Sequence, residues 1–234
     1  MKAIGDLQLP NLISWSISSC ENLESFPNLQ LPNLTRLEIQ ICKNMKAIGD
    51  LQLPNLISWN ISSCENLESF PDFQLSNLTM LKYMSITYCP IIDASFTCGF
   101  WPPKLVRLTT GGLKKPISEW GNQNFPASLV HLRLFGEPNV RNFSQLSHLF
   151  PSSLTSLEIA RFDNLESLST GLQHLTSFQH LVIWKCPKLN DLPETLLPSL
   201  LSLRIYECPK LKERCSGRGP HYWPLISHIP EIDM

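Results

Sequence analysis

Charge is scarce in this chain. Only 17 % of its 234 residues are charged, and 19 Lys+Arg against 20 Asp+Glu leave a formal net charge of -1. That balance lacks the basic stripe a nucleic-acid binder needs, so nucleic acid is not an expected partner. Apolar residues make up 43 % of the chain, yet no run approaches the ~20 residues that a membrane-spanning helix requires. A membrane is therefore not an expected partner either. The opening text MKAIGDLQLP does not read as the apolar h-region of a signal peptide. Ten glycines occur, none in the G-x-x-x-x-G-K-[ST] spacing that cradles a nucleotide phosphate. Eight cysteines contain no C-x-x-C pair of the kind that holds zinc. The histidines His131, His148, His174, His180, His221 and His228 show no H-E-x-x-H or H-x-H spacing, and no G-x-S-x-G elbow exists. The expectation is a non-enzymatic chain without metal or cofactor.

Repetition fills the space these motifs leave. Residues 1–35 return as residues 45–79 with four differences: Ser16/Asn60, Asn28/Asp72, Leu29/Phe73 and Pro32/Ser76. A fixed internal period signals stacked supersecondary units. The 44-residue block is two units of 22. Leu12, Trp15, Ile17, Cys20, Leu23 and Phe26 mark the first; Leu34, Leu37, Ile39, Cys42, Met45 and Ile48 mark the second. Leu56, Trp59, Ile61, Cys64, Leu67 and Phe70 repeat the first. The pattern continues through Leu81–Cys89, Leu105–Leu113, Leu129–Glu137, Leu154–Phe162, Phe178–Cys186 and Leu200–Cys208. These are about nine units of the L-x-x-L-x-L-x-x-N/C-x-L type, in the length range of leucine-rich repeats.

The pattern dictates a shape. The L-x-I step has period two, so its side chains share one face of a short strand. The intervening chain returns to the same place, which makes successive strands parallel. One unit cannot bury enough apolar surface to hold itself, so stacking is obligatory. The expected fold class is an α/β solenoid: a leucine-rich-repeat horseshoe, with a parallel β-sheet on the concave face and irregular or short helical turns on the convex face. Most of the 19 prolines fall at unit joints, where they remove no ladder donor.

Cys20, Cys42, Cys64, Cys89, Cys186 and Cys208 take one place in their units and form columns. A small buried thiol that weakly hydrogen-bonds the turn backbone is the expected role. Cys98 and Cys215 lie off the columns, with nothing near them to activate a thiolate. Free thiols in this number point to a reducing compartment, and a cytoplasmic location is expected. Four sequons, at Asn33, Asn60, Asn77 and Asn142, stand against that reading, although Asn60 falls within a strand.

The phrases LTRLEIQICKNMKAI, LTSLEIARFDNLESL, LVIWKCPKLNDLPE and LRIYECPKLKERC resemble the leucine-rich-repeat region of plant coiled-coil, nucleotide-binding disease-resistance proteins. The tail CPKLKERCSGRGPHYWPLISHIPEIDM is similar to the end of that region, and GGLKKPISEWG to an irregular insert within it. NLESFP stands where extracellular plant repeats carry L-x-G-x-I-P. The resemblance implies the C-terminal part of an intracellular immune receptor whose repeats sense a pathogen effector or a guarded host protein. It also implies that they hold inactive the nucleotide-binding domain of the same receptor, if one lies upstream. Alternatives are a leucine-rich-repeat substrate adaptor, marked by an upstream F-box-like helix, and a nonfunctional or decoy fragment of a resistance gene. Residues 1–211 are expected to form the solenoid and 212–234 a C-terminal capping segment, in which Trp223, Leu225, Ile226 and Ile229 cover the last unit. Met1–Ile4 match Met45–Ile48, so the solenoid is expected to open mid-repeat without a polar cap, with Leu7, Leu9 and Leu12 near an apolar end.

Residues flanking the buried strand positions are expected on the concave face. In the first and third units these are serines and Asn60. From the fourth unit onward they are Tyr83, Tyr88, Arg107, His131, Arg133, Phe135, Arg161, Trp184, Lys185, Arg204 and Tyr206. Tyr, Trp and Arg are the types enriched at binding hot spots, so these form a candidate protein-binding stripe. The competing expectation is that long side chains simply cover a sheet face.

Overall fold

The computed structural model describes residues 9–26, 28–68, 72–92, 101–120, 124–215 and 221–234. Expectations resting on Met1–Ile4, Leu7, Phe70 and Cys98 fall outside that set. The chain divides into two compact units, Met1–Lys115 and Pro116–Met234. Each is a parallel β-solenoid, as the repeat pattern requires.

In the first unit the strands are β1 (Ser14–Ser18), β2 (Arg36–Gln40), β3 (Ser58–Ser62), β4 (Tyr83–Cys89) and β5 (Arg107–Leu113), paired in sequence order. The register follows the repeat: Trp15 lies beside Leu37, Leu37 beside Trp59, and Trp59 beside Met84. Ile17, Ile39, Ile61 and Ile86 form the second inward column. Leu37, Ile39 and Ile61 are fully buried, and this packing, absent from any single repeat, holds the stack together. Across the loops, Ser25–Phe26 pairs with Ala47–Ile48 and Leu29–Gln30 with Leu51–Gln52, in minor two-residue ladders.

In the second unit the strands are β6 (His131–Phe135), β7 (Ser156–Ala160), β8 (His180–Trp184), β9 (Ser202–Tyr206) and a short β10 (Glu231–Asp233). Leu132, Leu157, Leu181 and Leu203 stand in one inward column, with Ile232 beside the last. Behind the sheet, Phe125, Phe150, Phe143 and Phe162 form a run of ring contacts with centroids 6.4, 5.4 and 6.2 Å apart. The connections are 3₁₀ turns, such as Phe143–Gln145. There Asn142 accepts the Ser144 amide, and Gln145 reaches back to the Asn142 amide, a capping box.

Two local expectations need correction. The text GGLKKPISEWG is not wholly irregular, because Gly111–Leu113 belong to β5 and Leu113 pairs with Cys89. Only after them does the chain leave the ladder for a 3₁₀ turn at Ile117–Glu119. At the other end, helices α1 (Pro209–Cys215) and α2 (Trp223–Ile226) precede β10. Ile226 and Ile229 are buried, but Trp223 and Leu225 are 42 % and 41 % exposed. Tyr222 takes the covering role instead. It is buried, its hydroxyl accepts the Leu192 amide at 3.0 Å, and the Arg214 guanidinium lies 5.1 Å from its ring centroid. A short helix buries one stripe only, and here the stripe runs through Tyr222 and Ile226.

Candidate functional site

Strands β1 to β9 each carry one residue of left-handed backbone at or just beyond their C-terminal end. Ser19, Ile41, Ser63, Tyr88, Arg161, Lys185 and Glu207 have φ between 52° and 58°, and Gly112 and Gly136 occupy the same place at 67° and 60°. The turn is used because it keeps the amide in the ladder. Ser19 N–H donates to Gln40 O, Ile41 to Ser62 O, Arg161 to Trp184 O and Lys185 to Tyr206 O, all at 2.9–3.0 Å. One residue later the column cysteine closes the turn. The thiols of Cys42, Cys64, Cys89 and Cys208 donate to the carbonyl two residues back at 3.2–3.5 Å. These thiols pack and satisfy backbone, as expected of the column.

This turn places three of the candidate residues, Tyr88, Arg161 and Lys185, at the rim of the exposed sheet face. In the first unit Tyr83 and Tyr88 are 42 % and 40 % exposed, and the Arg107 guanidinium lies over the Tyr83 ring at 5.7 Å. Gly112 is needed beside Tyr88, since a Cβ there would stand 3.1 Å from the tyrosine ring. Toward β1 the face is polar. Glu38 accepts from Ser16 at 3.2 Å, from Asn60 at 3.0 Å and from Gln40.

In the second unit the candidates form a dense band. Arg133 stacks 4.5 Å from the Phe135 centroid and pairs with Glu158 at 2.8 Å. Burial holds the Glu158 carboxyl above the usual range, outweighing the Arg133 charge beside it. Two cations contact the Trp184 ring, Arg161 at 5.6 Å and Lys185 at 4.8 Å from its centroid. Its indole N–H donates to Glu207 at 2.8 Å, and Lys185 pairs with the same carboxylate at 3.4 Å. Arg204 pairs with Glu231, and the Tyr206 hydroxyl donates to Asp233 at 2.7 Å. The hydrogen bond to Arg204 holds the Glu231 carboxyl below its ordinary range. His131 and His180 open β6 and β8, each flanking Ser156 in the register.

Phe135 departs from expectation. It is only 7 % exposed, sealed under Arg133, and offers the face almost no surface. Sequence reasoning missed Glu158, Glu207 and Glu231, which pair with the cations, and Asp233, which holds the Tyr206 hydroxyl. Glu158 was legible as the register partner of Arg133. Glu231 and Asp233 were not, because the tail carries no repeat pattern. Among the described residues no cluster of three or more His, Cys, Asp or Glu is arranged to hold a metal ion. No described helix is long and apolar enough to cross a membrane.

The sequence has relatives. It is 33 % identical over 121 residues to an Arabidopsis thaliana protein named as disease resistance protein At3g14460, and 34 % identical over 89 residues to one named as an RPP13-like disease resistance protein. The matches cover 51 % and 35 % of this chain. The chain is a leucine-rich-repeat solenoid similar to part of plant disease resistance proteins. It spans 8 % of the length of each of these relatives. No protein-family model matches it. Among solved structures, an internalin of Listeria monocytogenes aligns over 92 % of the chain and 81 % of its own, at 15 % identity and a TM-score of 0.39.

Proposed function

We propose that this chain is a protein-recognition module of a cytoplasmic plant immune receptor, and that it binds through the exposed sheet face of its second unit. The observation that carries the reading is the Arg161–Trp184–Lys185–Glu207 cluster. It is an aromatic ring held in one orientation by two cations and an indole hydrogen bond. A pre-ordered Trp and Arg lose little freedom on binding, which is what a hot spot requires. On the band, Arg133, Lys185 and Arg204 pair with Glu158, Glu207 and Glu231, while Arg161 lies over the Trp184 ring and Asp233 accepts from Tyr206, so four cations and four carboxylates leave it without a net charge. The partner is then selected by shape and hydrogen-bonding fit, not by net charge.

The partner is a pathogen effector or a guarded host protein, and the same surface or its neighbours hold a nucleotide-binding domain of the receptor in its resting state. The cytoplasmic setting is supported by the free, largely buried cysteines. Three sequon asparagines are also engaged: Asn33 donates to Pro10 O, Asn60 to Glu38, and Asn142 caps a turn. The test is quantitative interaction proteomics in plant tissue with the wild type, a Trp184→Ala/Tyr206→Ala variant and a Ser14→Ala/Ser58→Ala control. Partners lost from the first variant and kept by the control support the reading. A partner set unchanged by the first variant would overturn it.

A further inference from the structure

Three of the four cations on the second unit's exposed face bring their own counter-charge. Arg133 pairs with Glu158, Lys185 with Glu207 and Arg204 with Glu231. Arg161 does not. It is exposed, its guanidinium lies over the Trp184 ring, and among the described residues its side chain makes no ion pair or hydrogen bond. Its place in the fold accounts for this. Arg161 sits in the left-handed turn beyond β7, at φ 58°, with its amide donating to Trp184 O at 2.9 Å. The turn fixes its backbone against β8, and the Trp184 ring holds the guanidinium. Glu207, the carboxylate of this cluster, is already engaged by the Trp184 indole at 2.8 Å and by Lys185 at 3.4 Å. The fourth carboxylate of the band, Asp233, accepts from Tyr206 and stands on β10, three strands from β7. Three strand spacings of ~4.8 Å put it roughly 14 Å away, beyond the ~8 Å over which exposed charges act at physiological salt. The band is neutral as a whole and positive at Arg161.

A partner that covers this face excludes water from Arg161. A neutral group set against it would bury an uncompensated charge, and a cation would repel it; both oppose binding. A carboxylate accepts two parallel N–H bonds from a guanidinium and cancels its charge. The charge of the cluster selects a monoanion. Arg161 and Lys185 against Glu207 leave it with a single positive charge, whereas a phosphoryl group carries about -1.5 to -2 and is ordinarily met by a cluster of arginines. We propose, on the reading that this face binds a partner protein, that the partner presents one Asp or Glu side chain to Arg161, bound in the fork of the guanidinium beside Trp184.

The experiment pans a phage-displayed library of random peptides against the full 234-residue chain, with the Trp184→Ala chain panned in parallel. The expected result is a set of peptides that bind only the wild type and share Asp or Glu at one position. For the tightest of them, made synthetically, Arg161→Gln should weaken binding at least about tenfold, and so should exchange of that acid for its amide. The two changes together should weaken it no further than either alone, because they remove the same contact. The change on the peptide does not depend on the folding of any variant. Arg161→Lys keeps the charge without the fork and should fall between. Peptides that Trp184→Ala loses but Arg161→Gln binds as the wild type does would overturn this proposal and leave the binding face standing. Peptides bound equally by Trp184→Ala, or a library from which nothing enriches, would overturn the reading of the face and the proposal with it. Binding gained only when a peptide hydroxyl is phosphorylated would put a phosphate in place of the carboxylate and overturn the assignment.

Discussion

At the residue scale, the left-handed turn at the end of β1 to β9 is tolerated by side chains that ordinarily avoid it. Ile41 has φ 53° and is 43 % exposed. A β-branched residue in that region is strained, and its exposure means little packing is lost by removing it. Ile41→Asn is therefore expected to stabilise the chain by about 1 kcal/mol, read as a rise in thermal midpoint. A fall would show that the isoleucine packs more than its exposure suggests. Glu137 is a second exception, since it holds the place that cysteine holds elsewhere. It is 2 % exposed, accepts the Ile117 amide at 3.1 Å, and burial pushes its carboxyl up to about 7. An acid raised in the folded state binds its proton more tightly there than when unfolded. Stability from this group is thus greatest below about pH 4.5, falls as pH rises toward 7, and stays low above. Glu137→Gln should remove that fall, on the order of 3 kcal/mol between the two limits, measured by urea unfolding at pH 5 and pH 8. An unchanged difference between those two stabilities would rule the account out.

At the element scale, the C-terminal closure rests on Tyr222 more than on the apolar residues around it. Its hydroxyl is the acceptor for a buried Leu192 amide, and a buried amide left alone costs about 1–3 kcal/mol. Tyr222→Phe should lose that amount, whereas Trp223→Ala and Leu225→Ala, at exposed positions, should each lose less than about 0.5 kcal/mol. Denaturant midpoints of the three variants decide between this closure and one built on Trp223. The contrast also shows what the sequence could and could not reveal. Strands β1 through β9 were legible because a large apolar residue followed two positions on by Ile, Leu or Thr recurs with one meaning each time, and neighbouring repeats confirm the phase. The tail was legible only as apolar text. The four-residue helix α2 is too short to display a period, so the choice of Tyr222 over Trp223 awaited tertiary contacts. The left-handed turns were hidden for a different reason: only Gly112 and Gly136 advertise them, and the other positions hold ordinary residues.

At the scale of the whole molecule, the repeat pattern concentrates function by subtraction. Leucine and isoleucine columns consume the inward positions, cysteines close the turns, and asparagines tie loops together, as when Asn33 and Asn55 donate to Pro10 O and Pro32 O. What remains free to vary is the exposed sheet face and the turn beyond each strand. In the first unit that freedom goes to serines and a Glu38-centred polar network on the early strands and to Tyr83, Tyr88 and Arg107 on the later ones; in the second it carries Arg133, Arg161, Trp184, Lys185, Arg204 and Tyr206. The band was legible as residue types, but its order was not. The carboxylates that fix the cations come from register partners and from β10, and Phe135 sinks beneath Arg133 rather than joining the surface. The central claim is that this band is where a partner protein binds. The most direct measurement is calorimetric affinity for the strongest partner captured in plant tissue, compared between the wild type and Trp184→Ala. The account predicts a loss of at least about tenfold, equivalent to roughly 1.4 kcal/mol, with the thermal midpoint nearly unmoved. An affinity within about twofold of wild type would place binding elsewhere and contradict it.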